Sequence, residues 1–288
     1  MLDWTKPREM SREEGEALAR WYRETHGEQI AELMPFMPLL IEEMPSTFKR
    51  YRRFVEAIVG LGEIPGGLVA TLFLHHYMLV GNERGAAYEV DHARDSGLSK
   101  GEVLDVARLA FLEGGPFSVG TLALRGLAGL RDWEQDGESP KPPWPRHWAP
   151  EPAASDADFD YTSLDTDEAE ADRLVEGWPG GDGAAPAWTE LARAHAPGVL
   201  KAGRFRAEQA FEATELPIQA IRLIALFRSV IQGRPEAARL AVGLARRSGV
   251  NRSIALQTVF LAYLYANDST RDATATVLVD EFDAWSEG

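Results

Sequence analysis

Residues 93–112 read ARDSGLSKGEVLDVARLAFL, and residues 245–264 read ARRSGVNRSIALQTVFLAYL. The two stretches align without a gap at an offset of 152. Each has a short run closed by glycine, Gly97 or Gly249, as a helix stopped in the left-handed conformation requires. Ser99 follows the first glycine with Glu102 three residues on, the pattern of a capping box. Apolar residues Val103, Val106, Ala107, Ala110 and Phe111 then recur at helical spacing. A helix, a tight turn and a second helix are therefore written twice.

The same offset holds outward from this stretch. Pro45 meets Pro197, Glu63 meets Glu215, Pro65 meets Pro217 and Gly81 meets Gly233. Residues 45–124 carry 19 identities in 80 positions. Most other pairs are apolar on apolar, such as Val69 with Ile221 and Leu72 with Ile224. A period this long marks a duplicated structural unit. Pro65 suits the first turn of a helix, where its missing N–H costs nothing. Leu68, Val69, Leu72, Phe73, Met78 and Leu79 follow on one helical pattern, and Gly81 ends it. Ala86, Val90 and Ala93 share the face of a further helix. Gly114-Gly115-Pro116 breaks the next one, after which a helix runs to about Leu130. Residues 11–60 give two or three more amphipathic helices, and no alternating strand pattern is present. The expected fold is all-α, with tandem helical domains at 1–131 and 188–288. The segment 132–187 between them is rich in proline and acid. Trp133, Trp144, Trp148, Trp178 and Trp188 in and beside it predict that part of it packs across both domains, since a solvated tether seldom carries so many indoles.

Composition narrows the function. The 288 residues carry a net charge of −15, which disfavours nucleic acid as a partner, because phosphate binding needs clustered Lys and Arg. There is no cysteine, so disulfides, thiol redox chemistry, cysteine nucleophiles and thiolate metal sites are excluded. The longest apolar stretch, 68–81, is too short to span a bilayer and contains His75 and His76. The start, MLDWTKPREMSREEGE, has no apolar core and is not expected to act as a signal peptide. A cytoplasmic protein without a membrane partner is expected.

The motif Ala93-x-x-x-Gly97, the turn beginning Leu98-Ser-Lys-Gly, and Gly114-Gly115-Pro116 after the following helix resemble the carboxymuconolactone decarboxylase/AhpD-like superfamily. The resemblance covers roughly 40–130 and 192–280. It implies a helical core, a homo-oligomer (a dimer or trimer of two-domain chains), a small-molecule substrate and no cofactor. In the AhpD-like branch the Cys-x-x-Cys and histidine slots fall here on Asn82, Gly85 and Glu89, and in the second copy on Arg234, Ala237 and Ala241. Thiol peroxidase or reductase activity is therefore not expected. The decarboxylase branch places a histidine at the slot of Glu89, so its site is not reproduced conventionally either.

The two copies serve as an internal control on the polar residues. His75 aligns with Phe227, Tyr88 with Leu240, Glu89 with Ala241 and His92 with Leu244. Glu89 lies between Ala86 and Ala93 on an inward face, and His92 follows it by three, so the two can meet on a helix. A buried carboxylate beside an imidazole can serve as an acid–base pair. It can equally be a satisfied structural network. The candidate catalytic residues are Glu89, His92, His75 and His76, and the candidate substrate-binding residues are Asn82, Tyr88 and Glu113. Glu89-x-x-His92 also resembles half of a di-iron carboxylate motif, but a second such motif is missing, and no metal is expected. The basic cluster Arg50, Arg52 and Arg53 reads either as a solvated face or as a holder of an anionic substrate. Decarboxylation or isomerisation of a small organic acid or lactone is the function these residues suggest. A catalytically lapsed binding or scaffold protein is the alternative.

Overall fold

The computed structural model describes residues 2–26, 36–62, 64–131, 133, 142–150, 159–176, 178, 185–209 and 215–285. It is all-helical, with no strand among these residues. The helices are α1 (Arg12–His26), α2 (Phe36–Glu42), α3 (Pro45–Val59), α4 (Gly66–Val80), α5 (Glu83–Asp95), α6 (Lys100–Gly114), α7 (Pro116–Arg125) and α8 (Leu127–Arg131). After the intervening segment come α9 (Glu168–Glu176), α10 (Trp188–His195), α11 (Pro197–Glu208), α12 (Ile218–Ile231), α13 (Pro235–Arg247), α14 (Arg252–Ala262) and α15 (Asp268–Asp283).

Helix starts carry the repeat. Helices α10 to α15 each begin 152 residues after α2 to α7, and α9 begins 156 after α1. Gly81 and Gly233 both have positive φ, at 74° and 62°, and so do Gly97 and Gly249, at 85° and 79°. A side chain is strained in that conformation, which explains why these glycines survive in both copies. Residues 159–176, assigned to the joining segment by the sequence reading, are instead the counterpart of residues 2–26. Leu2-Asp3-Trp4-Thr5 is matched by Phe159-Asp160-Tyr161-Thr162. Asp3 accepts hydrogen bonds from the Thr5 backbone N–H and hydroxyl, and Asp160 does the same from Thr162. Ser11 and Asp167 then cap α1 and α9 by accepting from the backbone N–H of Glu14 and of Glu170. The offset changes by four residues between α1 and α2, which hides this part of the repeat from an ungapped comparison.

A buried lysine ties each N-terminal segment down. Lys49 Nζ meets Glu14 at 2.6 Å and the Glu9 carbonyl at 2.7 Å. Its counterpart Lys201 meets Glu170 at 2.9 Å and the Asp165 carbonyl at 3.3 Å. Both lysines are essentially without solvent contact.

The two halves share one hydrophobic core. Leu68, Leu72, Leu74, Val103 and Val106 belong to the same buried cluster as Ile221, Leu223, Ile224, Phe227 and Ala255. Helix α4 packs directly on its counterpart α12. Each half also reaches into the other at matching places. Asp105 on α6 accepts from the backbone N–H groups of Glu215 and Leu216, ahead of α12. Its counterpart Gln257 on α14 donates to the carbonyls of Ile58, Val59 and Gly62, ahead of α4. Residues 142–150 seal the junction. Trp144 and Trp148 stack in the core with ring centroids 5.8 Å apart. The Trp144 indole donates to Glu102 of the first half, and the Ala149 carbonyl accepts from Ile218 of the second. No described helix is long and apolar enough to cross a membrane.

Candidate functional site

The candidate residues fall in two groups. Helix α5 holds the first. Asn82 caps it, its side chain accepting from the Gly85 N–H at 3.0 Å. That asparagine is therefore engaged in holding the helix start. Two turns on from the cap, Glu89 is buried, and its Oε2 lies 2.9 Å from His92 Nδ1. The carboxylate side chain is 2% exposed and the imidazole 28%. Burial pushes the Glu89 carboxyl above its ordinary range, with the His92 hydrogen bond and charge acting against it. For His92 burial opposes the charged form, but the hydrogen bond to Glu89 and its charge outweigh that and raise the pKa. A carboxylate on Nδ1 fixes the imidazole's orientation and tautomer, leaving Nε2 to exchange a proton. Tyr88 is half-buried, with its ring 6.0 Å from that of His92. Burial and then the Glu89 charge raise the pKa of Tyr88 and of Tyr77.

The second group lies on the seam between α4 and α12. His75 and His76 are both buried. Burial, then the nearby Arg228 charge, drives His75 down to about 3 and His76 down to about 4, so both are neutral near pH 7. Glu113, at the end of α6, places one oxygen 3.5 Å from His75 Nε2 and accepts from Arg228 Nε at 3.1 Å on the other. The 3.5 Å contact is not aligned as a hydrogen bond, and among the described residues both His75 nitrogens and His76 Nδ1 have no hydrogen-bond partner. Tyr77 and Tyr265 share a hydrogen bond of 2.6 Å between their hydroxyls, and the Tyr265 ring lies 4.5 Å from that of His76. Arg228 is the counterpart of His76, and Tyr265 is the counterpart of Glu113. The seam thus holds the same crossing twice, once as an ion pair and once as a pair of tilted rings.

The structure joins Glu89 to His92, and His75 to Glu113. It places the α4 imidazoles in a different network from the α5 pair, so the four expected catalytic residues do not form one hydrogen-bonded constellation. The Glu89 charge raises the pKa of both Tyr77 and Tyr265, which links the two networks electrostatically. In the second copy Phe227 and Leu244 are buried, while Leu240 is exposed. Arg228, Tyr77 and Tyr265 did not emerge from the sequence reading. The available signal was the pairing of His76 with Arg228 and of Glu113 with Tyr265 at offset 152. Among the described residues no group of three or more His, Asp or Glu side chains is arranged to hold a metal ion.

No family model matches this chain, and neither the curated proteins nor the solved structures yield a match.

Proposed function

We propose that this protein is a cofactor-free acid–base catalyst acting on a small organic acid or lactone, by decarboxylation or isomerisation, in the manner of the carboxymuconolactone decarboxylases it resembles. One observation carries the reading. A buried carboxylate, Glu89, is hydrogen-bonded to a partly open imidazole, His92, and the second copy replaces the pair with Ala241 and Leu244. A buried, paired carboxylate gives less stability than a well-packed apolar residue often would. The first copy nevertheless keeps the pair where the second shows that apolar residues are accommodated.

His92 would take up a proton from the substrate, with Glu89 stabilising the imidazolium that forms. Tyr88 lies beside the imidazole and would contribute to the substrate's surroundings. His75 and His76, neutral at pH 7, each offer one donor and one acceptor nitrogen and are not suited to carry charge. Because the His92 pKa is raised, its basic form accumulates only above the ordinary imidazole range. The rate should accordingly rise with pH through that higher value.

The test is a turnover screen over small carboxylic acids and lactones with wild type, Glu89→Ala and His92→Asn. Glu89→Ala should fold, with a melting temperature equal to or above wild type. Its turnover should fall by 10²-fold or more, the usual contribution of general acid–base catalysis. A large loss of melting temperature would make Glu89 a structural network member. Full activity in the variant would remove the pair from the site. A ligand bound by wild type but never turned over would favour the binding-protein reading.

A further inference from the structure

The two copies differ in how they neutralise one arginine. Arg52 on α3 and Arg204 on α11 occupy equivalent positions. In the second copy Arg204 is buried, its Nε donates to Glu208 at 2.8 Å, and its Nη1 donates to the Leu174 carbonyl. The first copy has the matching acid, Glu56, but that carboxylate turns to Arg53 at 3.5 Å on the exposed side. Among the described residues Arg52 has no carboxylate partner. Its Nη1 donates to the Tyr22 hydroxyl at 3.0 Å, and its Nε is buried with no acceptor. The guanidinium lies 5.8 Å from the ring centroids of both Trp21 and Tyr22. A half-buried guanidinium held by aromatic faces and a hydroxyl, with a buried N–H left over, is arranged to receive an anion.

Space adjoins it. Tyr22, which bonds Arg52, also lines a cavity of ≈170 Å³ between α1 and α2, whose walls are completed by Ala19, Met37, Pro38 and Ile41 and by the charged Arg23 and Glu42. Ala19, Met37, Pro38 and Ile41 give it an apolar side.

We propose that Arg52 binds the carboxylate of a small organic acid whose apolar body occupies the cavity between α1 and α2. The guanidinium fork matches a carboxylate geometrically, and Tyr22 orients it. An inorganic phosphate would gain the charge contact but leave the apolar walls unfilled. The second copy cannot bind in this way, because Glu208 already occupies the guanidinium. This goes beyond the acid–base reading and stands apart from it, since binding is measured without turnover. A failed benzoate titration therefore leaves the catalytic pair untested, and an inactive pair leaves the anion site standing.

The experiment titrates the full chain with sodium benzoate near pH 7, followed by calorimetry and by the shift in melting temperature. Wild type should bind one benzoate saturably, and inorganic phosphate should not displace it. Arg52→Gln should weaken binding at least tenfold, and Arg204→Gln should leave it within twofold. Should Arg52→Gln fail to fold, Arg52→Lys and Tyr22→Phe take its place. The lysine keeps the charge without the fork, the phenylalanine removes the orienting hydroxyl, and each should weaken binding several-fold. Absence of saturable benzoate binding, displacement by phosphate at equal concentration, or equal affinity in the Arg52 variants overturns the proposal.

Discussion

Lys49→Met should destabilise the folded chain by about 3–5 kcal/mol, the cost of breaking a buried ion pair by removing one partner. Lys49 has no solvent-exposed surface, and its ammonium is shared between the Glu14 carboxylate and the Glu9 carbonyl. The substitution keeps the stem's packing and leaves Glu14 without its cation. Glu14 sits at about 2: burial opposes ionisation, but hydrogen bonds from Lys49 and from the N–H groups of Ser11 and Asp3 outweigh it. Stability from this group is whole above the ordinary carboxylate range and is lost as pH falls toward that value. Urea unfolding near pH 7 measures the effect. The double variant Lys49→Met/Glu14→Leu should recover most of the loss, because replacing both partners by apolar groups is often neutral. Lys201→Met should behave alike in the second copy. A loss below about 1 kcal/mol in both single variants would show that the ties contribute no more than surface pairs do.

Acid should unfold this protein through the seam, and His75→Phe should suppress much of that sensitivity. His75 is fully buried and held down to about 3, first by burial and then by Arg228. The folded pKa lies below the unfolded one, so the unfolded chain takes up this proton first. The stabilising effect is complete above the ordinary imidazole value and declines as pH falls toward about 3. Between pH 7.5 and 4.5 this corresponds to roughly 2–3 kcal/mol from His75, at about 1.4 kcal/mol per pKa unit. His76 adds in the same direction, being held down to about 4. Glu113 acts oppositely, because burial raises its pKa despite the Arg228 ion pair. The difference between wild type and His75→Phe isolates the imidazole. Phenylalanine is the residue the second copy already accommodates at Phe227, which is 1% exposed. Urea unfolding at the two pH values provides the measurement. Equal pH dependence in the two proteins would show that His75 is solvated or already satisfied.

Much of the helix pattern was legible because its signals are local. Ser99 and Glu102 form the capping box, and Gly81 and Gly97 take the left-handed conformation. Pro65 stands one residue ahead of its helix, as the cap of α4, and not within the first turn as the spacing suggested. The repeat was read only where the offset stayed at 152. The four-residue change between α1 and α2 placed α9 in the joining segment. The short Asp-aromatic-Thr match at 3–5 and 160–162 is too weak to correct that without a structure. On the candidate site, helical spacing was enough to bring Glu89 to His92. It was not enough to bring Glu113 to His75, since that contact crosses from the end of α6 to the middle of α4.

By itself, the sequence determined the all-helical class, the duplication, the absence of cysteine and the polar asymmetry between the copies. These follow from residue identity and from spacings shorter than two helical turns, or from self-comparison along one chain. The indoles predicted that part of the joining segment packs across both halves; tertiary structure alone decided that the halves share a core and that residues 142–150 are the part built into it. It alone decided that Arg228 and Tyr265 of the second copy complete a network begun by His75, His76 and Glu113 of the first. It also decided that Arg204 is neutralised by Glu208 while Arg52 has no carboxylate among the described residues, although both copies carry the acid. The physical reason is that ion pairing and burial depend on which surfaces meet, and neither helical period nor composition specifies how α4 lies on α12 or where Glu56 turns.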